Sequence, residues 1–175
     1  IDRISIETKL IGAINTIKAF DNILEGYNTD GEGFLNHIRG DLGFDPKDKN
    51  IAIIGAGGAS KAIAVFLSKA KPKFMSIYDI DKRKLKSLVL SLKEKFPAVG
   101  FVPANSIEEL NIRYCSLLIN ATPVGMKEND PCLVDEKFIH KNLVVYDLIY
   151  NPKETKLLKL AKDKGAVTSN GLGML

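Results

Sequence analysis

A polar segment, GYNTDGEGF, occupies residues 26–34 and is the first place in the chain where side chains could do chemistry. Asn28, Thr29 and Asp30 stand there between glycines, immediately before an apolar run. Side chains of these types accept hydrogen bonds from the unpaired N–H groups of a first helical turn, so the segment predicts a helix N-terminus. A carboxylate is also a group that takes part in acid–base catalysis. The segment therefore allows a structural role, a chemical role, or both.

A glycine-rich turn is the second candidate, because it follows the apolar run IAII at residues 51–54 and precedes a segment with helical spacing. The predicted turn residues are Gly55, Ala56, Gly57, Gly58, Ala59 and Ser60. Small residues let the backbone approach a pyrophosphate, which would rest against free N–H groups at the positive end of a helix dipole. The usual G-x-G-x-x-G pattern has its third glycine where this chain has Ser60, and a turn without a ligand is the alternative. The strand before it and the helix after it favour a dinucleotide site.

A further carboxylate, Asp79, stands at the end of the next predicted strand, in YDIDKRK at residues 78–84. It follows the glycine turn by about 20 residues, the spacing at which a carboxylate commonly accepts hydrogen bonds from the adenosine ribose. A carboxylate there would repel a 2′-phosphate, whereas Lys82, Arg83 and Lys84 could oppose that repulsion. The sequence therefore predicts NAD(P) as cofactor, with a weak preference for NAD.

The elements that must position these residues form an alternating pattern after residue 50. Short apolar runs (IAIIG, FMSIY, SLLIN and LVVYDLI) each precede a turn and, in most cases, a helical segment. Near-continuous apolar runs that alternate with helices predict a parallel sheet covered on both faces. We therefore predict an α/β fold with a doubly wound, Rossmann-like parallel sheet.

The first 29 residues follow a different pattern. IGAINTIKAF and ILEGYN flank Asp21 and Asn22 as the strands of a hairpin would, and a helix is predicted from Gly31 to Leu42. We expect residues 1–29 to be the remnant of a catalytic α/β domain and residues 30–170 to be a dinucleotide-binding domain. Residues 171–175 are expected to begin the return to the catalytic domain.

Composition excludes several classes of function. The chain has 175 residues, 45% of them hydrophobic, and a net charge of +4 that arises mainly from lysines on helix faces. Without basic or aromatic clusters it predicts no nucleic-acid partner, and no apolar run approaches the roughly 20 residues that cross a bilayer. Cys115 and Cys132 lack the spacing of a disulfide framework or a metal site. We expect no metal, no membrane and a cytoplasmic protein.

Four separated motifs occur together in this chain, and together they closely resemble the shikimate dehydrogenase family. They are IGAINT with GYNTDGEGF, GAGGASKA, INATPVGM, and DLIYNPKETKLLKLAKDKG with NGLGML. The resemblance covers nearly the whole chain. It implies a nicotinamide-dependent reduction of 3-dehydroshikimate to shikimate, in the pathway to aromatic amino acids. The sequence leaves a monomer and a homodimer as open alternatives.

The resemblance also implies roles for individual residues. The implied substrate-binding residues are Asn15, Thr16, Asp30 and Tyr150. The implied cofactor contacts beyond the glycine turn are Asn120, Thr122, Pro123, Met126, Gly171 and Met174. Each has a structural alternative: Asn15 could tie the hairpin, Thr122 precedes a proline and would be extended in any case, and Tyr150 could end a strand. His37 and His140 match no motif, and we expect them at the surface or in packing.

The implied catalytic residue is Asp30, which in this family works with a lysine that polarises or protonates the substrate oxygen. We expect Thr29 or Asp30 to cap a helix while the Asp30 carboxylate faces the cleft. The family's lysine lies in an N-V-T-x-P-x-K string that this chain lacks, and the family's closing helix is also missing. We therefore expect the cofactor-binding part of a longer enzyme.

Two alternatives remain open at this point. NADP-dependent members of the family carry an N-R-T string after the second strand, and its arginine binds the 2′-phosphate. This chain has Asp79, Ile80 and Asp81 at that place, which resembles the NAD-using quinate/shikimate dehydrogenase branch. Quinate is then a possible substrate. The other alternative is a nucleotide-binding module without catalysis.

Overall fold

The computed structural model describes all of residues 1–175 and contains two separate β-sheets. The smaller sheet has strand order β1-β3-β2, with β1 parallel and β2 antiparallel to β3. Its elements are β1 (Arg3–Ile4), α1 (Ile6–Ile11), β2 (Thr16–Phe20) and β3 (Ile23–Tyr27). Asp21 and Asn22 join β2 to β3 with positive φ angles of 46° and 63°, as a tight two-residue hairpin turn requires. The predicted hairpin is confirmed.

The larger sheet has six parallel strands in the order β6-β5-β4-β7-β8-β9. These strands are β4 (Asn50–Ile54), β5 (Phe74–Tyr78), β6 (Gly100–Ala104), β7 (Leu117–Asn120), β8 (Val144–Asp147) and β9 (Val167–Asn170). The strand order reverses between β4 and β7, which is the arrangement of a doubly wound sheet. The predicted fold class is confirmed. The loops that leave the carboxyl ends of β4 and β7 diverge here, and ligands of such sheets bind in the resulting crevice.

Helices cover both faces of this sheet. They are α2 (Asp30–Gly40), α3 (Gly58–Lys69), α4 (Lys82–Lys95) and α5 (Lys156–Asp163), with 3-10 turns at Glu108–Leu110, Ile112–Tyr114, Glu136–Phe138 and Gly171–Met174. One apolar core of 24 buried residues contains Ile51 and Ile53, and a second of 14 contains Ala52 and Ile54. Successive residues of β4 thus enter opposite cores, which explains its continuous apolar sequence. No helix is both long enough and apolar enough to cross a membrane.

Helix α2 links the polar segment to the larger sheet. It begins at Asp30 and ends at Gly40, so it is slightly shorter than predicted, and it buries Phe34 and Ile38 completely. The Phe34 ring meets the Tyr146 ring edge-on, with centroids 4.8 Å apart. Gly31 lets α2 lie against α3, since a Cβ there would stand 2.7 Å from the carbonyl oxygen of Ala62. The glycine is therefore needed for the packing of α2 against α3.

We expect Gly31→Ala to lower the free energy of unfolding by about 1–3 kcal/mol, because the added methyl group overpacks the α2–α3 contact. Urea unfolding followed by circular dichroism measures this change. The matched control is Gly40→Ala at the other end of α2, where nothing lies within 4 Å of a Cβ, and that variant should be as stable as the wild type or more so. Equal stability of the Gly31→Ala variant and the wild type would contradict the packing described here.

Candidate functional site

The candidate site lies along the carboxyl edge of the six-stranded sheet and starts at the turn after β4. Gly55 adopts a φ of +112°, and a Cβ there would stand 2.7 Å from the carbonyl oxygen of Ala121, at the end of β7. Only glycine fits this approach. The N-cap of α3 is Gly57, which offers no side chain, so the first-turn N–H groups at the positive end of the α3 dipole have no side-chain cap. This end of α3 can receive an anion.

Two side chains hold the turn from behind. Ser60 is fully buried, and its hydroxyl donates to the carbonyl oxygen of Gly55 at 2.6 Å. The Asp79 carboxylate accepts from the N–H of Ala56 at 2.6 Å through one oxygen and from the N–H of Asp81 at 2.7 Å through the other. Each Asp79 oxygen is thus already engaged with backbone. The structure therefore gives Asp79 a role in shaping the turn that the sequence prediction of a ribose contact did not include.

A basic groove of about 560 Å³ adjoins the outer side of the turn. Its lining residues are Ala56, Gly57, Gly58, Lys61, Asp81, Arg83, Lys84 and Ser87. Lys61, Arg83 and Lys84 outnumber the single carboxylate of Asp81. That carboxylate accepts from the N–H groups of Arg83 and Lys84 at the start of α4, and these hydrogen bonds lower its pKa, the bond from Lys84 having the larger effect. The groove therefore carries a net positive charge.

An apolar cavity of about 330 Å³ opens on the other side of the turn, between the loops that follow β7 and β8. Its lining residues are Ala59, Ala121, Thr122, Met126, Leu148, Ile149, Tyr150 and Asn151. Four of them were predicted from the sequence as ligand contacts, namely Ala59, Thr122, Met126 and Tyr150. Pro123 is exposed beside this cavity. An apolar ligand group would suit these walls.

Three predicted cofactor residues face the protein instead of this cavity. Asn120 is fully buried and bonds to Thr122, Val124 and Asp147. Gly171 packs against the carbonyl group of Leu148, and Met174 is buried in the larger core. Their sequence context is that of strand and chain ends, which does not reveal whether a side chain turns inward or outward.

The polar segment forms a hydrogen-bonded cluster with the GAINT segment. Asn15 donates through its amide nitrogen to the Asp30 carboxylate at 2.7 Å and to the Thr29 hydroxyl at 3.2 Å. The Asn15 amide oxygen accepts from the Thr29 N–H at 3.1 Å and from the Thr16 hydroxyl at 2.9 Å. The cluster adjoins the glycine-rich turn, because Ala13 lies 3.6 Å from where a Cβ on Gly58 would stand.

The predicted cap of α2 is wrong in detail. Thr29 occupies the N-cap position, but neither its side chain nor that of Asp30 caps the helix. The Asn28 side chain does so instead, since it accepts from the N–H of Asp30 at 3.2 Å. The side chains of Thr29 and Asp30 instead bond to Asn15, 14 and 15 residues earlier in the chain. Local sequence rules do not reveal that such a distant partner competes with the helix N-terminus for these side chains. Asn15, Thr16 and Thr29 are exposed and Asp30 is half-buried, so the cluster is accessible.

The histidines do not join either cavity. The Nδ1 atom of His37 lies 2.8 Å from the Tyr146 hydroxyl, and the ring packs against Gly173, as the expected packing role requires. His140 is partly buried. No group of three or more His, Cys, Asp and Glu side chains is arranged to hold a metal ion.

Sequence reasoning missed two residues of the site. Lys61 lies in the basic groove, one residue beyond the glycine turn. Asp147 is a completely buried acid at the end of β8. Its signal in the sequence was a lone charge within the apolar run LVVYDLIY, at the carboxyl end of a predicted strand.

Comparison with known proteins finds relatives whose similarity extends over the whole of this chain. No family model matches. A shikimate dehydrogenase (NADP(+)) of Methanocaldococcus jannaschii is 42% identical over 180 residues, which cover 100% of this chain and 62% of the relative. The chain thus spans about three fifths of the length of the curated relatives it matches.

Solved structures agree with these relatives. A shikimate dehydrogenase in complex with NADP+ matches with a TM-score of 0.87 and 40% identity, over 99% of this chain and 60% of the other. The shikimate 5-dehydrogenase of Listeria monocytogenes in complex with shikimate and NAD matches with a TM-score of 0.86 and 32% identity, over 99% and 62%. The resemblance predicted from the sequence is confirmed over the part of the family that this chain spans.

Proposed function

We propose that this chain, which belongs to the shikimate dehydrogenase family, binds a nicotinamide dinucleotide and serves as the cofactor-binding part of an enzyme that reduces 3-dehydroshikimate to shikimate. The observation that carries the proposal is the uncapped start of α3 beside Gly57, at the switch point between β4 and β7. An anion-receiving helix end in that crevice is what a dinucleotide diphosphate requires.

The proposed cofactor would span the carboxyl edge of the sheet. The diphosphate would meet the first turn of α3, and the adenosine end would lie toward the basic groove. The nicotinamide end would lie toward the apolar cavity, with Thr122, Met126 and Tyr150 as its walls. In this class of reaction a reduced nicotinamide supplies a hydride. The residues of the chain would bind the nicotinamide, orient it and exclude water from around the reacting atoms.

On the substrate side we propose Asn15, Thr16, Asp30 and Tyr150 as hydroxyl-binding residues. Asn15 holds the Asp30 carboxylate at 2.7 Å, so this part of the site is formed before a ligand arrives. Asp30 would in turn hold and tune a cationic proton donor. The N-V-T-x-P-x-K string that supplies this donor in the family does not occur within these residues.

We also propose the division of the chain into residues 1–29, 30–170 and 171–175. The smaller sheet supports it, because strands β1, β2 and β3 pair only with one another. Several of their large apolar side chains are exposed, including Ile4, Ile17 and Phe20. A strand set with so much exposed apolar surface buries it against other protein in a complete domain.

For the choice of cofactor, the weak preference for NAD drawn from Asp79 is not supported. The curated relatives are named for NADP(+), and each Asp79 oxygen already accepts a backbone N–H. We propose that NADP(H) is bound, with its 2′-phosphate near Lys61, Arg83 and Lys84 in the basic groove. These three side chains would replace the single arginine that the family carries where this chain has Ile80.

Gly57→Val should weaken NADPH binding at least tenfold while leaving the fold intact. Gly57 has an ordinary extended backbone, with φ −78° and ψ −170°, and nothing lies within 4 Å of a Cβ. The valine would therefore occupy only the space that the diphosphate needs. Fluorescence titration measures the affinity, and circular dichroism checks the fold. Gly40→Val, at an equally open position, is the control. If the Gly57→Val variant bound NADPH as tightly as the wild type, the diphosphate could not lie at this turn.

Combined Arg83→Gln and Lys84→Gln substitutions should raise the Kd for NADPH roughly five- to tenfold and the Kd for NADH less than twofold. Both side chains are largely exposed, so each contact with a 2′-phosphate is partly screened by solvent. Parallel titrations with the two cofactors measure the difference. Lys86→Gln, on the same helix but outside the basic groove, is the matched control. The proposed preference for NADP(H) is wrong if the wild-type protein binds NADH more tightly than NADPH, or if the double substitution weakens the binding of both cofactors equally.

In the full-length protein, Asp30→Asn should lower kcat by about 10²-fold or more and change KM much less, because the carboxylate would act on the proton donor during the chemical step. Steady-state kinetics with 3-dehydroshikimate measure both constants. Glu32→Gln, in the same first turn of α2 but exposed, is the control. Unchanged kcat in the Asp30→Asn enzyme would exclude Asp30 from the chemistry.

A further inference from the structure

A buried carboxylate that the proposed reaction does not use lies behind the apolar cavity. Asp147 ends β8 and is completely inaccessible to solvent, and no Lys, Arg or His lies within ion-pair distance of it. Burial raises the pKa of its carboxyl group. A charge in such a place costs free energy that an apolar residue would not, so its retention calls for a reason.

All three groups that face Asp147 are hydrogen-bond donors. The Asn120 amide nitrogen and the N–H of Ile149 donate to one carboxylate oxygen, at 3.0 and 3.1 Å. The Thr155 hydroxyl donates to the other oxygen at 2.7 Å. An ionised carboxylate only accepts and can satisfy all three at once, whereas an amide at this position would turn a donor toward one of them.

The three donors connect Asp147 to two different loops. Asn120 accepts from the N–H and the hydroxyl of Thr122, at 3.0 and 2.7 Å, and donates to the carbonyl of Val124 at 3.1 Å. It therefore fixes the loop after β7. Ile149 and Thr155 bracket the loop after β8, and Thr155 also caps α5 by accepting from the N–H of Leu158.

Both loops wall the apolar cavity, since Thr122 and Met126 come from the first and Ile149 and Tyr150 from the second. We infer that Asp147 is a positioning residue that holds these two loops at the separation the nicotinamide ring needs, through Asn120 on one side and Ile149 and Thr155 on the other. The inference rests on the proposed function, because it presumes that a nicotinamide enters this cavity. The glycine turn and the basic groove make no contact with the Asp147 carboxylate, so the adenosine half of the ligand should not depend on it.

The test compares two ligands that share the adenosine half. NADPH carries the nicotinamide, and 2′-phospho-ADP-ribose lacks it. In the full chain, Asp147→Asn should raise the Kd for NADPH tenfold or more and change the Kd for 2′-phospho-ADP-ribose less than twofold. General damage to the fold would weaken both ligands alike, so the ratio of the two constants isolates the positioning role.

A second pair of variants guards against misfolding of the Asp147 variant. Thr155→Val removes the hydroxyl that bonds to Asp147 and keeps the shape of the side chain, and it should raise the Kd for NADPH at least threefold without affecting 2′-phospho-ADP-ribose. Thr155→Ser restores the hydroxyl and should return both constants to wild-type values.

Other outcomes overturn the inference. Equal affinity of wild-type protein for the two ligands, or an unchanged ratio in both the Asp147→Asn and Thr155→Val variants, would mean that the loops are not held for the nicotinamide, while dinucleotide binding itself stood. Failure of wild-type protein to bind either ligand would instead overturn the proposed function, and this inference with it.

Discussion

The approach of the Gly55 turn to the carbonyl oxygen of Ala121 is the constraint on which the site depends. It places the turn after β4 against the first residue after β7, at the point where the strand order reverses. With this contact in place, α3 starts at the middle of the carboxyl edge and points its uncapped end outward. The basic groove and the apolar cavity then lie on opposite sides of one helix end, at positions that a single extended ligand can span.

Polar side chains at strand ends and in the first turn of α3 hold the loops, and backbone groups are left for the ligand. The Asp79 carboxylate accepts from the N–H of Ala56, the Ser60 hydroxyl donates to the carbonyl oxygen of Gly55, and the Asp147 carboxylate accepts from the N–H of Ile149. Each of these bonds fixes a turn from its inner side. Because the polar groups of the turns are satisfied internally, the outer N–H groups at the start of α3 keep a fixed direction, and an anion that binds them pays little for ordering the protein.

The sequence predicted those features that depend on local pattern. The buried strands follow from apolar runs such as IAII and LVVYD, the hairpin from Asp21 and Asn22, and the sharp turn before α3 from glycines between a strand and a helix. It did not predict which way polar residues turn at the ends of strands. Asn120 was expected to face the cofactor and instead lies inside, and Asn28 rather than Thr29 caps α2. These outcomes are set by partners far along the chain, such as Asp147 for Asn120 and Asn15 for Thr29, and local spacing carries no information about them.

Buried polar residues fix the loops of the site, whereas exposed residues would set its ligand preference. Asp147, Asn120 and Ser60 are completely buried, and changing any of them would alter the loops themselves. In contrast, Arg83 has 97% of its side chain exposed, and Met126 and Tyr150 are 55% and 51% exposed. Substitutions at these exposed positions can change the proposed contacts with adenosine or nicotinamide with little effect on stability. Likeness of fold therefore says little about the 2′-substituent of the proposed cofactor, because that substituent would be recognised by a few exposed cations at the start of α4.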